Sequence, residues 1–454
     1  MKVFGSSGTR GVANDELTPE FVLKIAKAAG TVWRTDRVAL ARDTRATGDM
    51  LADAAASGLA SVGSDVDRLG VVPTPGAQAY AESEGVPALM ITASHNPPEY
   101  NGVKLIGDDG IELAVGSLER VEEKFLTEKF EEVRWSETGH SHLIEDSRER
   151  YVSQLLESID RDRIADANLT VALDPGHGAG SLTSPEFFRK LGCTVVTTNS
   201  QPDGHFPGRD PEPVPGNLAD LGRLVEASGA DVGIAHDGDA DRAIFYDENG
   251  QYIEGDATLA ALAAAQLEPD DAVVSAVNVS QRLVDVAHET GARLELTPIG
   301  STNIITRIRE LEDQGVSVPV AGEGNGGVFF PTYRLSRDGA YTAAKFLELL
   351  ADERASAIVE PYNGYHNVRT NISYTTDAEQ DALLAAAERE AEKSNAELNT
   401  RDGYRLDFGD AWVLARPSGT EPMVRIYAEA RERHRSEELA EEMETALRAA
   451  KANV

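Results

Sequence analysis

Short apolar runs alternate with amphipathic helical stretches through the first three quarters of this chain. That rhythm constrains the fold more than any other feature. Strand-like runs are Val38-Ala39-Leu40-Ala41, Ala88 to Ile91, Thr170-Val171-Ala172-Leu173, Val232-Gly233-Ile234-Ala235 and Ala272-Val273-Val274-Ser275. Helical stretches lie between them, among them Pro19 to Arg34, Met50 to Val62 and Ala257 to Leu267. Such alternation builds repeated α/β units, because each helix crosses over to cover the sheet. At 454 residues the chain is too long for one core, so three or four domains are expected. A charged helical stretch, Glu145 to Ile159, is expected to link the first two. The polar, proline-rich segment Gln201 to Gly216 reads as an ordered surface loop within the second. The rhythm breaks at Glu360-Pro361-Tyr362-Asn363-Gly364. Beyond it come a strand (Asn367 to Ile372), a helix (Asp377 to Ser394), short strands and a terminal helix (Ser436 to Ala452). This last part reads as a small α+β module.

Composition narrows the function class. Lys+Arg total 43 against 77 Asp+Glu, a formal net charge of −34. A surface this negative repels phosphate backbones, so nucleic acid is not an expected partner. Lysines number only 10. An acidic, lysine-poor surface suits high salt, where screening suppresses self-repulsion. No run approaches the roughly 18 apolar residues of a membrane span, and Met1-Lys2-Val3-Phe4-Gly5 lacks the apolar core of a signal peptide. The expectation is a cytoplasmic enzyme without a membrane partner. The single cysteine, Cys193, reads as a buried small hydrophobe at a strand-like run. His177 and His288 read as isolated structural or surface residues.

Against the global charge, basic residues inside motifs gain weight. The run Thr92-Ala93-Ser94-His95-Asn96-Pro97-Pro98-Glu99-Tyr100-Asn101-Gly102 follows an apolar strand. Its two prolines and its Asn-Gly predict a rigid turn rather than a helix or strand. The Ser94 hydroxyl is therefore expected to stand exposed on a fixed scaffold, with His95 beside it and Lys104 ten residues on. A covalent phosphoryl carrier needs that arrangement.

In His236-Asp237-Gly238-Asp239-Ala240-Asp241-Arg242, three carboxylates at i, i+2 and i+4 can converge on one hard cation. Magnesium suits a shell that a phosphoryl oxygen completes. A calcium-binding EF-hand competes, with Asp237, Asp239, Asp241 and Glu248 at its first, third, fifth and twelfth positions. Its glycine position is Arg242, however, and strand-like runs flank the loop where an EF-hand needs helices. Gly322-Glu323-Gly324-Asn325-Gly326-Gly327 allows close backbone approach to a ligand, and Glu323 and Asn325 suit sugar hydroxyls. Arg416-Pro417-Ser418-Gly419-Thr420-Glu421-Pro422 offers a guanidinium and two hydroxyls fit to grip a phosphate without cleaving it. Arg425 lies on the strand that follows. Near the start, Phe4-Gly5-Ser6-Ser7-Gly8-Thr9-Arg10-Gly11 has neither dinucleotide-fingerprint spacing nor a P-loop lysine.

In this chain order the loops resemble those of the α-D-phosphohexomutases, a family of sugar-phosphate mutases. Ala41-Arg42-Asp43-Thr44-Arg45 resembles a further family loop. The resemblance implies three α/β domains with mixed sheets and a C-terminal α+β domain around a central cleft, with boundaries at 1–148, 149–250, 251–362 and 363–454. It implies a phosphoserine at Ser94 and Mg²⁺ held by Asp237, Asp239, Asp241 and a phosphoserine oxygen. Arg10 and Arg242 would hold the phosphoryl region. Lys104 would serve as general acid or base, with His95 second. Glu323 and Asn325 would bind the sugar. Arg416, Ser418, Gly419, Thr420 and Arg425 would bind the phosphate that is not transferred. A hexose 1,6-bisphosphate would be the activator, and the enzyme would be a monomer or homodimer.

The sugar loop departs from common bacterial versions, which carry serine at the position of Asn325 and histidine at that of Gly327. It looks more like archaeal members, and with the charge it suggests a halophilic one. A family histidine of the third domain has no equivalent near Thr297 to Asn303. The implied reaction moves phosphate between C1 and C6 of a hexose phosphate, with a slight lean to phosphoglucosamine over phosphomannose or phosphoglucose. A metal-dependent phosphomonoesterase would use the same serine and aspartates, but the Arg416 loop argues against it. A non-catalytic sugar-phosphate-binding protein would not need Ser94, Lys104 and three aspartates together.

Overall fold

A computed structural model describes residues 3–5, 8–418 and 421–452. The first sheet contains β1 (Thr9–Val12), β2 (Arg37–Arg42), β3 (Asp65–Val71), β4 (Ala88–Ile91), β5 (Tyr100–Ile106) and β6 (Ser141–Leu143), in the order β1-β5-β4-β2-β3-β6. β4 is buried at every position, so its unbroken apolar run is what a central strand covered on both faces requires. Helix Pro19–Trp33 starts where the sequence places its signals. Thr18 accepts a hydrogen bond from Phe21 N at 3.2 Å, and Pro19 opens the first turn.

The second sheet holds β7 (Thr170–Asp174), β8 (Thr194–Thr197), β9 (Val232–Ala235), β10 (Ile244–Tyr246) and β11 (Tyr252–Ile253), in the order β11-β10-β9-β7-β8. Part of the first sheet is repeated here: β7, β8 and β9, like β2, β3 and β4, run parallel, and the strand that follows pairs antiparallel with the last of the three. β12 (Ala272–Ala276) lies parallel to both β13 (Arg293–Thr297) and β14 (Val320–Glu323). β15 (Gly327–Phe330) and β16 (Arg334–Arg337) form an antiparallel hairpin. The last sheet has β17 (His366–Ser373), β18 (Glu397–Asn399), β19 (Tyr404–Asp407), β20 (Ala411–Pro417) and β21 (Met423–Ala430), in the order β17-β21-β20-β19-β18. Its pairs are antiparallel, and helices Asp377–Lys393 and Arg433–Lys451 pack on it, an α+β module.

By its contacts the chain falls into two compact units, Met1–Thr258 with Asn325–Val359, and Leu259–Gly324 with Glu360–Val454. No helix among the described residues is long and apolar enough to cross a membrane. Cys193 is buried immediately before β8.

Two sequence expectations need correction. The Asn-Gly at 101–102 is not a turn, because β5 begins at Tyr100. A Cβ at Gly102 would lie 2.5 Å from both Thr9 O and Thr92 O, so this glycine lets backbone crowd a strand from two sides. The Ser94 hydroxyl is not exposed either: the residue is 1% accessible.

Candidate functional site

The loop after β4 carries Ser94 in a left-handed conformation, φ 53°. For a non-glycine residue that costs about 1–3 kcal/mol. Arg45 holds the loop in place. Its guanidinium donates to Ser94 O at 2.9 Å, Asn96 O at 2.6 Å, Pro97 O at 2.6 Å and Tyr100 O at 2.8 Å. Hydrogen bonds from a charged donor contribute about 1.5–3 kcal/mol each, so the clamp outweighs the strain. Asp43 balances the charge at 3.1 Å from Arg45 Nε, with both side chains fully buried. Asp43 also accepts Thr92 Oγ1 at 2.7 Å, and Thr92 Oγ1 in turn accepts Ser94 N at 2.9 Å. The motif that in sequence only resembles a family loop is, in the structure, the clamp of the serine loop.

The loop after β9 brings Asp237, Asp239 and Asp241 together, all buried, with one oxygen from each within 4.8 Å of the others. Ser94 Oγ donates to Asp237 Oδ2 at 2.7 Å. The close approach depends on Gly238, where a Cβ would sit 2.5 Å from Ser94 O. Asp239 Oδ2 accepts from Thr74 Oγ1 at 2.6 Å and Lys104 Nζ at 2.8 Å. Asp241 Oδ2 accepts from Arg337 Nη2 at 2.6 Å and Lys104 Nζ at 3.2 Å. Asp239 Oδ1 and Asp241 Oδ1, both buried, have no hydrogen-bond partner. Buried acceptors left open on converging carboxylates are what a hard cation satisfies, so the residues fit a divalent metal. From below, Arg209 ties the loop down through His236 O at 2.6 Å and Asp174 Oδ2 at 3.0 Å.

Charge sets the protonation of the site. Burial pushes the Asp237 carboxyl up, and its neighbours Asp241 and Asp239 add to the effect. Burial also opposes ionisation of Asp239 and Asp241, but Lys104 and Arg337 outweigh it and hold both below the usual carboxylate range. Burial alone lowers the Lys104 pKa, yet Asp239 and Asp241 hold it above the usual lysine range. The Lys104 ammonium is thus pinned between two carboxylates, to which it donates. Arg242, then burial and Arg10, push His95 down to about 2, leaving a neutral ring whose Nδ1 lies 3.3 Å from Ser94 Oγ. Arg10 donates to Asn96 Oδ1 at 2.8 Å. Arg242 Nε lies 3.8 Å from Asp237 Oδ2 and 3.8 Å from Asp241 Oδ1.

Glu323, buried at the end of β14, belongs to the second unit and Asn325 to the first. Asn325 Oδ1 accepts from Gly327 N at 3.0 Å. In the second unit Arg416 on β20 stands directly opposite Arg425 on β21. Opposed residues share a face, and like charges there are destabilising unless an anion joins them. Asp402 pairs with Arg416 Nε at 3.1 Å, and Glu421 with Arg425 Nη2 at 2.6 Å. Ser418 N donates to Met423 O at 2.8 Å. Gly419 and Thr420 lie outside the described residues. His177 is a buried tie, with Nδ1 2.9 Å from Gln201 O and Nε2 accepting Gly208 N at 3.1 Å; His288 is exposed. Thr74 and Arg337 carried no sequence signal at all, because their partners are distant in the chain.

Known proteins resemble this chain over nearly its whole length. Four phosphoglucomutase/phosphomannomutase domains match in order: α/β/α domain I over residues 1–132, domain II over 149–250, domain III over 254–365 and the C-terminal domain over 370–446. A phosphoglucomutase/phosphomannomutase of Thermococcus kodakarensis is 41% identical over 452 residues, covering 97% of each chain. A probable phosphoglucosamine mutase of Methanopyrus kandleri is 38% identical, covering 97% of this chain and 96% of the other. A crystal structure of a phosphoglucomutase/phosphomannomutase family protein from Burkholderia thailandensis superposes with a TM-score of 0.87 at 28% identity, covering 99% of this chain and 97% of that one. The chain belongs to the phosphoglucomutase/phosphomannomutase family of phosphohexomutases, isomerases that transfer phosphate within a sugar phosphate.

Proposed function

We propose that this phosphohexomutase works through a phosphoserine at Ser94 and a bisphosphorylated hexose, exchanging phosphate between C1 and C6. The observation that carries the reading is the 2.7 Å bond from Ser94 Oγ to Asp237, beside the open Oδ1 atoms of Asp239 and Asp241. Asp237, Asp239, Asp241 and an oxygen on Ser94 would hold Mg²⁺, which when bound supplies positive charge to the phosphoryl oxygens. Without it, three cations (Lys104, Arg337, Arg242) already face the three carboxylates. A phosphoserine of about −2 charge and a dication would therefore enter as a neutral pair.

The sugar hydroxyl attacks phosphorus, the bond from phosphorus to Ser94 Oγ breaks, and the intermediate returns its other phosphoryl to the serine. A proton must leave the attacking hydroxyl and one must reach the departing oxygen. Lys104, with Nζ 2.8 Å from Asp239 Oδ2 and 3.2 Å from Asp241 Oδ2, is the first candidate for this proton work, and His95, with Nδ1 3.3 Å from Ser94 Oγ, the second. Arg10 and Arg242 offset charge on the phosphoryl group. Glu323 and Asn325 would read the sugar. Arg416, Ser418, Gly419, Thr420 and Arg425 would grip the second phosphate, and the opposed arginines support that role. Substrate preference leans slightly to glucosamine phosphate over mannose or glucose phosphate, because the loop at Glu323 looks like that of archaeal members.

The test is phosphorus NMR with Mg²⁺, a trace of hexose 1,6-bisphosphate, and the 1-phosphates of glucose, mannose and glucosamine offered separately. Conversion to a 6-phosphate without free phosphate supports the reading, and the fastest substrate assigns the sugar. Inorganic phosphate as the sole product would make the chain a phosphomonoesterase.

A further inference from the structure

The metal loop rests on a hairpin that its own sequence does not announce. Backbone joins the two at both ends of the hairpin: Ala243 N donates to Gly326 O at 3.1 Å, and Gly339 N donates to Ala240 O at 3.2 Å. The hairpin β15–β16 groups with the metal loop in the first compact unit, although it lies within family domain III. From its end, buried Arg337 reaches Asp241 Oδ2 at 2.6 Å.

The arginine stem runs across Gly327. A Cβ there would lie 2.7 Å from Arg337 Cδ and 3.1 Å from Asn325 Oδ1. Real Cβ atoms do not approach that closely, so any other residue at 327 must displace the stem. The two oxygens of Asp241 are thus divided. Oδ2 is taken by Arg337 and Lys104, while Oδ1 has no hydrogen-bond partner. Asp239 is divided the same way, with Thr74 and Lys104 on Oδ2.

We propose that Arg337 is a positioning residue of the cation site, turning Asp241 so that Oδ1 faces the ion, and that Gly327 belongs to the same device by leaving the arginine its path. This rests on the reading of the three aspartates as a cation site. It also assigns a second cause to the glycine in the sugar loop: the residue type at 327 answers to the metal loop as well as to the sugar. A side chain introduced there to alter sugar preference will carry a cost in cation affinity.

Two effects of Arg337 on a cation oppose each other. Its charge repels the ion, and its hydrogen bond orients the ligand. Outer partners of metal ligands typically contribute 10–100-fold in affinity. The sign of the change on removing Arg337 therefore separates orientation from repulsion.

The experiment is Mn²⁺ binding to the full-length, unphosphorylated protein, followed by electron paramagnetic resonance, with circular dichroism melts to establish folding. Asp239→Asn tests the underlying reading, and unchanged Mn²⁺ affinity in that variant would remove the cation site itself. Given that loss, Arg337→Met is expected to weaken binding roughly tenfold or more. Equal or tighter binding would overturn the proposal. Gly327→Ala keeps the charge, and is expected to weaken binding in the same direction. The double variant is expected to bind no more weakly than Arg337→Met alone, since both changes disable one device. Additive losses would overturn the role given to Gly327.

Discussion

The serine-and-aspartate site and the paired arginines of the last sheet handle charge in opposite ways. At the first, the protein supplies both signs. Three buried carboxylates meet Lys104, Arg337 and Arg242, and the Ser94 loop is clamped by Arg45 against Asp43. At the second, Arg416 and Arg425 face each other across β20 and β21, and Arg425 is about one-third exposed. At the first site each buried carboxylate already has a cation beside it, Lys104 at Asp239, Arg337 at Asp241 and Arg242 at Asp237. The second sets two like charges side by side, each answered by one carboxylate, Asp402 for Arg416 and Glu421 for Arg425. The difference suits the division of labour in a mutase, where one phosphoryl must be transferred and the other only held. Pre-organisation favours the chemical step, and two guanidiniums on one face suit the holding of a phosphate.

That contrast is open to attack from both ends. The largest effect is expected from Ser94→Ala, which should reduce phosphoryl exchange to background. Retained exchange in a steady-state assay would detach the chemistry from the first site. Next is Arg45→Met, which strands buried Asp43 and frees four carbonyls. Removing one partner of a buried ion pair costs about 3–5 kcal/mol. The calorimetric transition of the first unit should fall accordingly, and an unmoved transition would show that the clamp is not what holds the serine loop.

Arg416→Ala should act differently. Losing one charged donor to phosphate is expected to raise KM roughly 10–100-fold with a smaller change in kcat. A fall in kcat at constant KM would mean that the second region acts in the transition state, and the contrast would fail.

The smallest effect concerns pH. Burial pushes His236 down to about 4. Its Nδ1 lies 2.8 Å from Arg242 O, where it donates. The ring is neutral when folded and takes up a proton on unfolding below about pH 6.5, so the unfolded state binds more protons between pH 4 and 6.5. Stability from this group is complete above that window and is lost as pH falls through it, by about 2 kcal/mol at pH 5. The second unit has no buried histidine among its described residues. Calorimetry from pH 7 to 5 should therefore lower the first transition, while in His236→Asn that histidine-linked part of the slope disappears. An unchanged slope in the variant would contradict the assignment.

How much of this was legible in the sequence depended on distance along the chain. The strands Ala88–Ile91 and Val232–Ala235 match their apolar runs because burial on both faces writes itself into consecutive residues. The three aspartates are legible because their spacing lies within one turn. Thr74 is 165 residues from Asp239, and Arg337 is 96 from Asp241, so no local pattern could pair them. The error at Asn101-Gly102 has the same root: its turn chemistry was local, but its strand pairing with Gly11 and Arg10 was not.

The most direct measurement is mass spectrometry of the protein after incubation with hexose 1,6-bisphosphate and Mg²⁺. The account predicts one phosphoryl group on the peptide containing Ser94, discharged when a hexose monophosphate is added in excess. A protein that stays unmodified at Ser94 while turning over substrate would contradict it.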